Sequence, residues 1–252
     1  MSDFNRNVTA RGGFADRTAA VDAGLRAYML RVYNYMAAAV ALTGVVAWLC
    51  FQNAVVTNEA GAITGLTSFG QMLLGGYTPI VLMLATLGLV FFISFRIHTL
   101  QYTTALGLFM LYAALLGAAL TSILVAYTGA SVARVFFISA ASFGALSLYG
   151  YTTQRDLSAM GSFLIMGLFG IIIASLVNIF LKSSGLDWAI SVIGVGVFAG
   201  LTAYDAQRIK EMYDSMDDDG TVGRKAIMGA LSLYLDFINL FLMLLRLVGD
   251  RR

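Results

Sequence analysis

Seven long apolar runs, at about residues 30–51, 79–96, 103–127, 132–153, 161–181, 187–209 and 226–248, alternate with polar breaks along the chain. Each is near the ~20 residues that a helix needs to cross the hydrocarbon core of a bilayer. The pattern therefore predicts an all-α integral membrane protein: a polar region over 1–29, then one seven-helix domain over 30–252. Pro79 is the one proline and opens the second run, where a first helical turn tolerates it. Two breaks are long, a polar one at 52–78 and an acidic one at 211–225. No linker, charge block or internal repeat marks a second domain. Small residues recur at helix-packing intervals, as with Gly196 and Gly200 in GVGVFAG, which predicts close helix contacts. A dinucleotide-binding loop would need G-x-G-x-x-G after a strand, and neither condition holds.

Composition agrees with the pattern. The 252 residues are 59% hydrophobic and 12% charged, against about 25% charged in soluble domains, and the mean hydropathy is +0.81. A net charge of +2 with scattered arginines offers no basic face for nucleic acid. The single cysteine, Cys50, excludes an intramolecular disulfide and any multi-cysteine metal site. No short apolar core with a cleavage site precedes the first run, so no signal peptide is expected. Arg6, Arg11, Arg17, Arg26 and Arg31 lie before or at the start of the first run, while 52–78 has no lysine or arginine. Arg96, Arg155, Arg208, Lys210, Arg224 and Lys225 fall on the same side as that first group, and Arg134 and Lys182 on the other. This places the N-terminus in the cytoplasm. The end of the chain breaks the pattern, since seven crossings put Arg251 and Arg252 outside. Either the last segment re-enters, or the earlier helices set the topology and the tail is tolerated.

Charge inside the apolar runs is the strongest chemical signal, because an intramembrane carboxylate is expensive and must face a cavity or a partner. Two such residues stand in the last two runs, Asp205 in LTAYDAQRIK and Asp236 in LSLYLDFINLF. Ser232, Asp236, Asn239 and Arg246 fall within a helical stripe about 80° wide, which should face the bundle interior. One reading leaves both acids in structural ion pairs, Asp205 with nearby basic groups and Asp236 with Arg246 or a neighbouring helix. The other brings them together on antiparallel helices. Two carboxylates about 4 Å apart in a low-dielectric site cannot both ionise cheaply, so they would titrate as a unit. Deprotonated, they would form an anionic oxygen site for a hard cation such as Ca²⁺, with Asn239 completing part of the shell. Asp205 looks shallower than Asp236, a mismatch mostly removed if the last helix starts near Gly229. The lone His98, beside Arg96, reads as an exposed or hydrogen-bonded side chain. DSMDDDG (214–220) mimics a calcium loop, but Ser215 and Ala226 occupy its first and last ligand positions, so the EF-hand pattern fails.

LTAYDAQRIK (201–210) followed by LSLYLDFINLFLMLLRLVG (231–249) resembles the Bax inhibitor-motif membrane family in its bacterial branch. FFISFRIHTL (91–100), ISVIGVGVFAG (190–200) and LRAYMLRVYNYM (25–36) are similar to that family too, so the resemblance covers most of the chain. It implies a seven-helix bundle with the C-terminal helix central, surrounded by the other six. It also implies a pH-sensitive Ca²⁺ leak gated by paired aspartates, here Asp205 and Asp236, with Arg96 latching onto the first of them. The acidic 211–225 connection is longer than the family pattern. The ending Gly249-Asp250-Arg251-Arg252 replaces the long basic tail of some eukaryotic relatives, which favours a bacterial inner-membrane address.

The expected function is thus a cation leak with Ca²⁺ and H⁺ as its ions, gating and ion-binding residues Asp205, Asp236, Arg96 and Asn239, and no tightly bound cofactor. An alternative is an interaction protein that regulates a membrane protease or a stress or cell-death pathway through a membrane-protein partner. A proton-coupled transporter is a third reading, though no broken helix pair is evident. No enzyme is expected. Tyr204-Asp205 is half of an intramembrane aspartyl protease signature, but YLDF around Asp236 lacks the other half.

Overall fold

The computed structural model describes residues 4–58 and 62–252, and of residues 4–20 and 22 the backbone alone. Among them lie α1 (Phe4–Ala54), a hairpin of β1 (Val55–Thr57) and β2 (Ile63–Leu66), and a short α2 (Ser68–Leu74). Six long helices follow: α3 (Thr78–Arg96), α4 (Tyr102–Ala126), α5 (Gly129–Thr152), α6 (Ser158–Leu181), α7 (Ser184–Glu211) and α8 (Asp219–Val248). Seven helices are long and apolar enough to cross a membrane, namely α1 from Ala23 onward and α3 to α8. Within the expected polar region 1–29, residues 1–3 and the side chains of 4–20 and 22, those of Arg6, Arg11 and Arg17 among them, lie outside what is described.

The bundle is organised around α8. The most apolar window of α8 is 67% buried, against 11% for those of α3 and α6. Helices α1, α4, α5 and α7 pack against it, while α3 lies chiefly on α4 and α6 on α7. Glycines set two of the closest approaches. A Cβ at Gly150 of α5 would stand 2.0 Å from the Ala203 carbonyl oxygen of α7, and one at Gly117 of α4 2.6 Å from that of Thr43 in α1. Gly200 packs on Leu164 of α6, as its spacing predicts, whereas Gly196 faces open space.

A buried polar knot ties α1, α4 and α8 together. The Tyr234 hydroxyl lies 2.6 Å from Oγ1 of Thr43, which is 2.9 Å from the carbonyl oxygens of Ala39 and Ala113. Phe109 and Tyr112 meet the Tyr234 ring edge-on. Thr43→Val strands the Tyr234 hydroxyl and should cost about 1–3 kcal/mol. Adding Tyr234→Phe should recover part of that loss, because both polar partners are then gone. Thermal unfolding in detergent of the single and double variants measures the difference.

The last helix begins at Asp219 and not near Gly229. Asp218 starts it by accepting hydrogen bonds from the Thr221 backbone N–H and hydroxyl, a standard cap for the unpaired donors of a first turn. Those bonds hold the Asp218 carboxyl below its usual range. The sign follows: the contribution is complete above the unfolded carboxylate value and is lost as pH falls through the lowered one. Asp218→Asn should therefore lose less thermal stability than wild type between about pH 6 and 3.

At the other end α8 does not turn back. The C-terminal residues lie on the α4–α5 turn: the Arg252 N–H donates to the Ala126 carbonyl, the Thr128 N–H to that of Asp250, and the Asp250 N–H to Oγ of Ser131. Arg251 stacks over the Tyr127 ring and Arg252 over that of Phe51, at the end of α1. The final segment is a full-length helix from one end of the bundle to the other. Its length and course are those that a full crossing requires.

Candidate functional site

Three contacts hold the arginine-bearing end of α7 against the α5–α6 connection. Oε1 of Gln207 accepts from the Leu157 N–H at 2.9 Å and its Nε2 donates to the Arg155 carbonyl at 2.8 Å, while Nζ of Lys210 donates to the Tyr151 carbonyl at 3.0 Å. Sequence reasoning missed Gln207; its position two residues beyond Asp205 in YDAQRIK was the available signal. With Gly150 seated against Ala203, these contacts fix the height and rotation of the turn that carries Asp205.

Asp236 is 5% exposed at the centre of the bundle, and Asp205 is half-buried beside it. The two carboxyl groups are neighbours that act on one another. Ionised carboxylates only accept, so a hydrogen bond between them requires one shared proton. Oδ2 of Asp236 is buried without a hydrogen-bond partner among the described residues. The depth mismatch resolves in an unexpected way. Gly229 does stand at the level of Ile209 near the end of α7, but α8 starts ten residues before it. Allowing for the two residues of α7 beyond Ile209, that first stretch overhangs α7 by about 12 Å at 1.5 Å per residue. The 212–218 connection climbs alongside it, with Tyr213 against Gly24 and Tyr28 of α1 and Asp217 paired to Lys225 at 2.5 Å.

The other candidates are placed differently. Arg208, one turn beyond Asp205, is the cation that acts on that carboxyl. Arg96 is exposed at the end of α3 and pairs with no carboxylate among the described residues. The physical reason is packing, since α3 lies chiefly on α4 and α2. Nδ2 of Asn239 donates to the Leu235 carbonyl of its own helix at 2.8 Å. Arg246 does not reach Asp236; it faces Asp187 at the start of α7, at 3.8 Å. No group of three or more His, Cys, Asp or Glu side chains able to hold a metal occurs among the described residues.

A family model described as Inhibitor of apoptosis-promoting Bax1 matches residues 25–252. The chain belongs to the Bax inhibitor-1 family. Among its relatives, inner membrane protein YbhL of Escherichia coli is 48% identical over 232 residues, covering 91% of this chain and 94% of that one. An uncharacterized protein of Rickettsia prowazekii is 48% identical over the full length of both chains. Another, from Caulobacter vibrioides, is 44% identical, again over both full lengths. As a Bax inhibitor-1 family member, the protein is an integral membrane protein built around its C-terminal helix. The Asp205 and Asp236 segments both lie inside the matched region.

Proposed function

We propose that this Bax inhibitor-1 family protein is a pH-sensitive cation leak, with Ca²⁺ as its principal ion, gated by the Asp205–Asp236 pair. The observation that carries this reading is the contact between two carboxyl groups in the core of a membrane bundle. One shared proton satisfies the pair and leaves little negative charge to attract a cation. Loss of that proton creates two adjacent carboxylates, which repel one another in a low-dielectric setting and present the hard oxygen ligands that Ca²⁺ prefers. Two carboxylates are far fewer than the 6–8 oxygens of a storage site. Conduction requires binding weak enough to release the ion, so a sparse site supports transit.

Arg96 enters the proposal as the latch of a second arrangement, in which α3 swings toward α7 and its guanidinium replaces the proton as the partner of Asp205. The Asn239 carbonyl oxygen adds a neutral ligand once its helix turns. The lysine and arginine pattern supports a cytoplasmic N-terminus, the likeness to YbhL supports an inner-membrane address, and reporter fusions at the two termini should report opposite sides. The reading includes no catalytic step.

The test is Ca²⁺ flux into liposomes containing the purified protein, between about pH 5 and 8. Flux that depends on pH and on both aspartates is expected. Flux indifferent to pH and unchanged in Asp205→Asn and Asp236→Asn sinks the proposal.

A further inference from the structure

A long groove runs down the outside of the bundle between α1 and α5, with Phe237 of α8 as its floor, and encloses about 1010 Å³. Small side chains, Ala37, Ala41 and Gly44 on α1 and Ala140 and Gly144 on α5, open its middle between larger apolar ones such as Met36 and Phe143. The bond between Tyr33 Oη and Ser147 Oγ, 2.6 Å long, spans the groove near one end. Beyond that bond the apolar lining gives way to Arg26 and Tyr151. Nζ of Lys210 sits 5.5 Å from the centroid of the Tyr151 ring. One end of an otherwise apolar furrow is thus cationic, with Arg26 of α1 and Lys210 of α7 near the end of α5.

Length and lining point to the occupant. The α5 wall, from Phe136 to Tyr151, is about 22 Å long at 1.5 Å per residue. A furrow of that length, apolar along most of its lining and open on the outside of a membrane bundle, suits extended hydrocarbon chains. The cationic end adds charge complementarity to an anionic headgroup, of the kind that lysine and arginine at a membrane surface provide.

We propose that the α1–α5 groove binds one anionic phospholipid, its acyl chains lying along the apolar walls over Phe237 and its phosphate held by Arg26 and Lys210. Phe237 directly follows Asp236 in α8, so the bound chains touch the helix that carries the buried acid. The proposal does not depend on the leak, and its readout is binding.

Native mass spectrometry of delipidated protein, titrated with phosphatidylglycerol or phosphatidylcholine of identical chains, tests it. Wild type should retain one phosphatidylglycerol, about tenfold better than phosphatidylcholine. Gly144→Leu should lose both lipids, because the new side chain fills the groove. A Cβ at Gly144 meets nothing within 4 Å, and the same holds for Gly44 on the opposite wall. The fold should therefore tolerate the change, with an unaltered thermal midpoint, and Gly44→Leu repeats the test should Gly144→Leu misfold. The double substitution Arg26→Gln with Lys210→Gln should keep binding but lose the headgroup preference. Equal retention of the two lipids by wild type overturns the proposal, as does undiminished retention in folded Gly144→Leu. A wild type that retains no lipid, but forms a dimer that Gly144→Leu disrupts, overturns it in favour of a helix from a second copy.

Discussion

Asp236→Asn should cut Ca²⁺ flux about ten- to a hundredfold and leave the remainder nearly flat with pH. The magnitude follows from the site. Contacts to a charged group contribute about 1.5–3 kcal/mol each, and every 1.4 kcal/mol is a factor of ten. The amide introduced at position 236 still donates to Asp205, so the pair stays bonded, but it neither releases a proton nor supplies a charged oxygen. Asp205→Asn should act in the same direction and more weakly, because Asp205 is half-buried while Asp236 is 5% exposed. Asp187→Asn is the internal control. That residue faces Arg246 at the other end of the bundle, and its loss should leave the pH response intact. Flux measured in the same liposomes for all three variants gives the ranking. Equal effects of Asp187→Asn and Asp236→Asn would mean that general surface charge, and not the buried pair, governs flux.

The second large effect is structural and comes from a single methyl group. Gly150→Ala places a Cβ 2.0 Å from the Ala203 carbonyl oxygen, a clash with backbone that no rotamer relieves. Overpacking of this kind costs about 1–3 kcal/mol. For a chain of this length the thermal midpoint should fall by roughly 2–12 °C. Gly196→Ala should do the opposite. A Cβ there meets nothing within 4 Å, and replacing glycine in a helix gains up to about 1 kcal/mol. Because Ala203 is two residues from Asp205, pushing α5 away from α7 should also shift the pH response of flux. Gln207 and Lys210 then strain against their bonds to the α5–α6 connection. Unfolding curves and flux for the two alanine variants separate a packing role from mere tolerance.

Much of the bundle was legible because lipid imposes one strong rule, that a crossing helix is an uninterrupted apolar run. Helices α3 to α6 begin and end within about three residues of the runs that predicted them. The rule is silent where water is the solvent. The hairpin and α2 in 52–78 are too short to show a period, and the start of α8 is hidden by the run Asp217-Asp218-Asp219, which reads as a loop until Asp218 is seen as a cap. The acid pair was legible for the same reason as the helices, since a carboxylate in an apolar run demands a partner. The neighbours of that pair were not. Whether α3 or some other helix lies next to α7 depends on how seven similar cylinders are arranged, and hydropathy carries no information on that arrangement. Asn239, by contrast, finds its partner along its own helix, where spacing alone is informative.

The docking of residues 250–252 on the α4–α5 turn restricts how the central helix can move. Main-chain bonds to Ala126 and Thr128 moor α8 at one end, and thirteen residues separate Asp236 from Asp250 in that mooring. A piston stroke along the axis would have to break the mooring first, while a tilt about it leaves the bonds whole. In the proposed gating, separation of the two aspartates would then be a lever motion with its fulcrum at Tyr127, in which the overhanging start of α8 sweeps furthest.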